Sequence, residues 1–176
     1  MTRWRPAFPP PTGVAAQVPG PGQESVWDYP RPPRLEAVSR RVVVRLGGGV
    51  VIDTSSPLRV LETSHPPTYY LPMTDAAPGA LREAEGESWC EFKGRAVYLD
   101  VVGADGTVAA RAAWTYPDPD PRYAALAGHV ALYPGRMQEC TLDGEPVAAQ
   151  DGDFYGGWLT AEIVGPVKGG RGTWGW

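Results

Sequence analysis

Apolar and polar positions alternate with a period of two through the middle of the chain. In "RVVVRLGGGVVIDT", Val42, Val44 and Leu46 share one face, while Arg41 and Arg45 fall on the other, where Val43 interrupts the polar side. The two β-branched runs flank Gly47-Gly48-Gly49, which predicts a hairpin. "LRVLETS" predicts a third strand. "RAVYLDVV", a "GADG" turn and "TVAARAAWTY" predict a second hairpin. In its second arm Val108, Ala110, Ala112 and Trp114 alternate with Ala109, Arg111 and Ala113, as in a half-buried strand. "HVALY" reads as another strand, and "ECTLDGEPV" as a third hairpin with an Asp-Gly turn. "PDPDPRYAALAG" permits a short helix from Pro121. No long amphipathic helix and no repeat interrupts this series. The predicted fold is mainly β, a small antiparallel domain of twisted sheets with one or two short helices.

Four other stretches break the alternation. Residues 1–23 are dominated by proline and glycine without a period, which predicts a flexible leader. Order is expected from residue 24, where "ESVWDYPRPP" suits a chain lying extended on a surface. "ETSHPPTYYLP" packs a histidine and two tyrosines between prolines, and those prolines argue against a central strand. "MTDAAPGALREAEGES" is polar and reads as a loop with one helical turn around residues 80–84. The expected organisation is a leader over 1–23, a single β domain over 24–148, and a glycine- and aromatic-rich extension over 149–176, packed on the domain or on a partner.

Composition narrows the function classes. The 176 residues include 20 prolines and 22 glycines, which suits short strands and many turns. A formal net charge of −4 argues against non-specific nucleic-acid binding and against an anionic membrane surface. No apolar run approaches the roughly 18 residues of a membrane helix. Cys90 and Cys140 form no CxxC pair and no disulfide framework, so a reducing cytoplasm is the expected compartment. With His65 and His129 they complete the nitrogen and sulfur donors, and no zinc spacing emerges.

His65 is the candidate acid or base, because imidazole titrates near neutral pH. The competing role is a structural ring bonded to backbone at a strand end. Tyr69 and Tyr70 must point to opposite sides of an extended chain, so one can join a pocket while the other packs. Cys90 in "SWCEFKG" is either a nucleophile activated by Lys93 or a small buried hydrophobe. Asp118 and Asp120 form a D-x-D pair that could hold Mg²⁺, though proline-separated aspartates usually shape turns. Many aromatic residues lie at strand ends beside prolines, where rings can line a concave mouth or cap the core.

"WDYPRPP", "ETSHPPTYYLP", Lys93-Gly94 with Ala96 and Tyr98, and "AAWTYPDP" together resemble domain-of-unknown-function family 427, a bacterial family, over about residues 24–147. One position departs: Glu91 stands where the family commonly has a proline after the cysteine. The resemblance implies a β-tent fold, the architecture of the yippee and cereblon ligand-binding domains. Those relatives hold a structural zinc with two cysteine pairs, which this chain lacks, so no metal and no cofactor is expected. The cereblon-like relatives bind small cyclic ligands, a likeness of fold alone. The family also sometimes carries a nucleotidyltransferase-like label.

These readings predict a polar-aromatic pocket. His65 and Tyr70 are the candidate proton-transfer pair, with Glu62 and Tyr69 on the same wall. Trp27, Tyr29 and Arg31 form a second wall, Trp114 and Tyr116 a third, and Lys93 comes from the matched Lys-Gly pair. The expected function is small-molecule binding, with cofactor-independent catalysis left open. The alternatives are a non-enzymatic interaction module, whose tail docks on a partner or on a second copy in a homodimer, and nucleotidyl transfer.

Overall fold

The computed structural model describes residues 4–152 and 154–176; residues 1–3 of the leader and Asp153 of the C-terminal extension lie outside them. The strands in chain order are β1 (Glu24–Ser25), β2 (Arg34–Ala37), β3 (Val42–Leu46), β4 (Gly49–Thr54), β5 (Leu58–Leu61), β6 (Thr68–Pro72), β7 (Leu81–Cys90) and β8 (Gly94–Val102). There follow β9 (Val108–Thr115), β10 (His129–Leu132), β11 (Glu139–Leu142), β12 (Glu145–Pro146), β13 (Ala148–Ala149), β14 (Trp158–Leu159) and β15 (Ile163–Val164). Among the described residues only 3-10 segments are helical, the longest over Pro121–Leu126. The fold is mainly β, as the alternation predicts.

A seven-stranded sheet has the order β2-β5-β6-β10-β9-β8-β7, and a four-stranded sheet the order β12-β11-β3-β4. Every pairing in both is antiparallel. The core lies between them. Val42, Val44 and Leu46 of β3 and Leu142 of β11 pack with Leu71, Leu99, Val101, Val130 and Leu132 of the larger sheet. Their partners in the alternation, Arg41 and Arg45, are exposed and pair with Asp53 at 2.7 Å and Glu139 at 3.6 Å across the strands. The opposite face of the larger sheet carries a second cluster, including Val60, Tyr70, Ala96, Trp114 and Ala131. Tyr123 and Leu126 of the longest 3-10 segment cover part of that face.

Three expectations need correction. "TYYLP" is an interior strand: β6 pairs with β5 on one side and β10 on the other. Its prolines precede the strand or end it, so the paired residues before Pro72 keep their N–H groups. The polar stretch read as a loop with a helical turn contains most of β7, an edge strand bulged between Glu83 and Glu87. Its exposed charges suit a sheet edge that pairs on one side only. The third correction is in β9, where the alternation breaks at Arg111 (φ 51°), so that Ala112 and Ala113 are both buried. The register slips there against β8, and Asp100 accepts the Arg111 N–H at 2.9 Å.

The described parts of the leader and of the extension lie along the domain. In the leader, Phe8 N–H donates to the Trp27 carbonyl and Gln17 N–H to Gly165, each at 2.8 Å. Trp27 and Tyr29 are buried with Val26 and Leu61, in a segment read as lying on the surface. In the extension, Trp158 is fully buried in the main core, 5.1 Å from the Tyr69 ring. Its N–H donates to the Pro67 carbonyl at 2.8 Å. Its indole N–H has no partner among the described residues, so the residue contributes through packing. Trp158→Ala should therefore lower unfolding free energy by about 3–5 kcal/mol. Trp158→Phe should cost distinctly less, because no hydrogen bond is lost with the indole. Chemical denaturation separates the two, and equal losses would contradict the packing account.

Candidate functional site

On the face of the seven-stranded sheet turned away from the core lies a cleft of about 470 Å³. Val60 of β5, Tyr70 of β6, Tyr98 of β8 and Trp114 of β9 line it, together with Tyr116 just beyond β9. The turn at Glu62, His65 and Pro66 supplies one wall, and residues 88–93 at the end of β7 supply another. Phe154, Tyr155, Gly156 and Lys168 arrive from the C-terminal extension. A second hollow of about 590 Å³ adjoins it, sharing Tyr98, Tyr133, Gln150, Phe154 and Tyr155.

Most of the expected residues converge here: Arg31, Glu62, His65, Tyr70, Lys93, Trp114 and Tyr116 all border the cleft. Trp27, Tyr29 and Tyr69 do not. The period of two sends Tyr69 into the main core and Tyr70 to the cleft. The Trp27 indole donates to the Pro166 carbonyl at 3.0 Å, and the Tyr29 hydroxyl donates to Glu24 at 2.7 Å, so both rings serve the packing of the two chain ends. Sequence reasoning missed Gln150, Tyr155 and Lys168, which sit among turn residues in a stretch read as a glycine-rich tail. Their only signal is their shared segment with Trp158.

The turn that carries His65 is held at several points. Ser64 adopts φ 70°, a left-handed conformation costly for a residue with a Cβ. Its N–H donates to Val26 at 3.0 Å and its carbonyl accepts from the Lys168 N–H at 2.8 Å. His65 N–H closes the turn on the Glu62 carbonyl at 3.0 Å, and Pro66-Pro67 then stiffen the lead into β6. The extension lies flush against this wall. A Cβ on Gly157 would stand 2.6 Å from the Pro66 ring, and one on Gly156 only 2.2 Å from the Trp114 indole.

Gln150 decides which nitrogen of His65 carries the proton. Its Oε1 accepts the Gly157 N–H at 3.1 Å, and its Nε2 donates to the Lys168 carbonyl at 2.6 Å. Those backbone partners set the amide orientation, so Nε2 is also the donor to His65 Nδ1 at 3.1 Å. Nδ1 is then an acceptor, and the proton sits on Nε2. Burial, reinforced by the positive charges of Lys168, Arg31 and Lys93, pulls the His65 pKa down to about 3. The ring is a neutral Nε2–H donor at physiological pH.

Other donors surround it. Tyr70 and Tyr116 are buried, with rings 6.3 Å apart, and burial raises both phenol pKa values. The Trp114 indole donates to the Tyr70 hydroxyl at 3.4 Å, which leaves the Tyr70 proton free to donate. The Lys93 ammonium lies 5.9 Å from the Tyr116 ring centre. Arg31 pairs with Glu62 at 3.2 Å, and Lys168 Nζ donates to the Trp176 carbonyl at 2.9 Å.

Among the other candidates, Cys90 borders the cleft and is half-buried, whereas Cys140 is in the main core, where burial pushes its thiol up to about 12. Asp120 caps the Pro121–Leu126 segment by accepting the Arg122 N–H at 3.0 Å and pairs with the Arg122 guanidinium. Neither Asp118 nor Asp120 borders the cleft. Among the described residues no group of three His, Cys, Asp or Glu side chains is placed to hold a metal ion.

A family model described as a domain of unknown function, DUF427, matches residues 34–143. No curated protein matches the chain. The matched span carries Glu62, His65, Tyr70, Lys93, Trp114 and Tyr116. Arg31, Gln150, Tyr155 and Lys168, which close the cleft around His65, lie outside it.

The depressed His65 pKa has a sign that can be checked. Between about pH 6.5 and 3 the unfolded chain binds a proton at His65 that the folded protein refuses, so stability falls as pH falls through that window. By pH 5 this one group removes on the order of 2 kcal/mol. His65→Asn keeps an acceptor for Gln150 without a titrating ring. Its stability relative to wild type should therefore improve by roughly that amount between pH 7.5 and 5 in urea denaturation. Parallel pH profiles would show that folded His65 protonates freely.

Proposed function

Since the chain belongs to domain-of-unknown-function family 427, whose description assigns no activity, we propose a function from the cleft itself: it binds a small organic molecule. What carries this reading is the convergence of buried hydrogen-bond donors and aromatic rings from separate stretches of chain on one hollow of about 470 Å³. That is the size and lining of a small-molecule site. Buried polar groups are normally satisfied within a fold, and a concave surface that leaves donors free presents them to a ligand. His65 enters as an oriented donor, because a group with pKa about 3 is a weak base at neutral pH. Proton transfer, where the bound molecule undergoes it, then falls to Tyr70 or Lys93.

The extension favours this reading over an interaction module. Trp158 is used inside the core, and Trp176 packs 5.7 Å from Trp27, so these aromatics of the tail serve their own chain. Nucleotidyl transfer would need Asp118 and Asp120 to converge on the cleft, and Asp120 is instead engaged with Arg122.

A fragment screen by ligand-observed NMR tests the reading. Wild type should bind fragments competitively at one site. Ser88→Trp, which adds bulk at a half-buried cleft position outside the core, should weaken them by about tenfold or more while leaving the melting temperature nearly unchanged. Hits indifferent to this substitution would place binding elsewhere and reject the cleft.

A further inference from the structure

Lys93 is the least ordinary residue of the cleft. It is only 8% exposed, yet it forms no salt bridge among the described residues. Buried cations are normally paired, because removing an ammonium from water is costly. The chain holds it in place from behind. Its carbonyl accepts the Asp120 N–H at 3.0 Å, and Gly94 follows at φ 97°, a turn that a side chain would strain. Burial works against the charge, while Tyr70, Cys90 and Glu62 raise the Lys93 pKa above the ordinary value. Tyr70 contributes charge only as a phenolate, and burial keeps it protonated at neutral pH. Glu62 is already engaged with Arg31 at 3.2 Å. Cys90 is its hydrogen-bond neighbour, and no carboxylate among the described residues pairs with the ammonium.

We infer that the ligand of the cleft is a monoanionic organic acid with a flat aromatic body, its carboxylate held by Lys93 and the Tyr70 and Tyr116 hydroxyls. This rests on the reading of the cleft as a small-molecule site and names the class of molecule. The donors that border the cleft around Lys93, namely the two phenols and His65 Nε2–H, call for an acceptor-rich group. The charge count calls for one negative charge: Arg31, Lys93 and Lys168 stand against Glu62 and Glu91, leaving a single positive charge. A phosphate monoester carries nearly two charges at pH 7 and would leave one uncompensated. The body of the ligand meets rings instead of charges. Trp114 and Tyr133 stand 4.7 Å apart, with Tyr70 edge-on to Trp114, a lining suited to stacking against a planar molecule.

The test compares 2-naphthoate, 2-naphthyl phosphate and the neutral 2-naphthylmethanol by isothermal titration against wild type and Lys93→Met. Wild type should bind the carboxylate about tenfold or more tightly than the alcohol, and the phosphate ester no better than the carboxylate. Lys93→Met should lose that carboxylate advantage while binding the alcohol as wild type does. Its ligand-free melting temperature should stay close to wild type, because the apolar chain removes the cost of burying an ammonium together with its neighbours' attraction. If Lys93→Met does not fold, Lys93→Gln serves the same comparison, and the ranking of the three probes on wild type needs no variant. Equal affinity for acid and alcohol, or undiminished carboxylate binding without Lys93, would overturn the anion assignment and leave the cleft as a small-molecule site. Tightest binding of the phosphate ester would replace the monoanion by a dianion. Saturable binding of none of the three would overturn both readings.

Discussion

The site depends on the alternation of side chains along β6, an interior strand with the core on one face and a cleft on the other. Tyr69 and Tyr70 are adjacent in sequence and separated by the thickness of the sheet. The first stacks near Trp158 in the main core, and the second stands edge-on to Trp114 in the cleft. A register slip of one residue would exchange the two faces. It would turn Leu71 out of the core onto the cleft face and carry Tyr70 away from Trp114. The neighbours oppose such a slip, because β5 and β10 pair with β6 from both sides and the core face is filled by Leu71 and Val130.

A second constraint comes from the far end of the chain. Gln150 bridges the Gly157 N–H, the Lys168 carbonyl and His65, so one amide ties the extension to the stiff turn. Gly156 and Gly157 let the backbone lie against Trp114 and Pro66 at distances that no Cβ would permit. The same extension delivers Trp158 to the core. Packing energy in the main core thus holds the third wall of the cleft, and the wall in turn sets the protonation of His65. A neutral imidazole, two protonated phenols and an ammonium make a surface rich in donors. Such a surface is expensive to leave empty and is stabilised by an acceptor.

Much of this was legible in the chain because it depends on local chemistry. The hairpins at Gly47-Gly48 and Asp143-Gly144 follow from turn residues between alternating runs, and the opposite fates of Tyr69 and Tyr70 follow from pleating. What failed to show has a common cause. β7 is dense in glutamate because it pairs on one side only, so its pattern reads as loop. The break in β9 at Arg111 is set by pairing with β8 and by Asp100, a partner eleven residues away. Trp27 and Tyr29 fit the composition of a pocket wall, but contacts with Pro166 and Glu24 turn them inward. Gln150 and Lys168 act on His65 from more than eighty residues away in sequence, and no local pattern encodes such a contact.

The central claim is that the donor-lined cleft around Lys93 is a place for a ligand and not an accident of packing. The most direct measurement is a crystal structure of the protein as purified from cells, without added ligand or denaturing steps. The account predicts non-protein density between Lys93 and Trp114, within hydrogen-bond distance of the Lys93 ammonium and a Tyr70 or Tyr116 hydroxyl. Lys93 turned out into bulk solvent, or paired with a carboxylate of its own chain across a collapsed cleft, would contradict it.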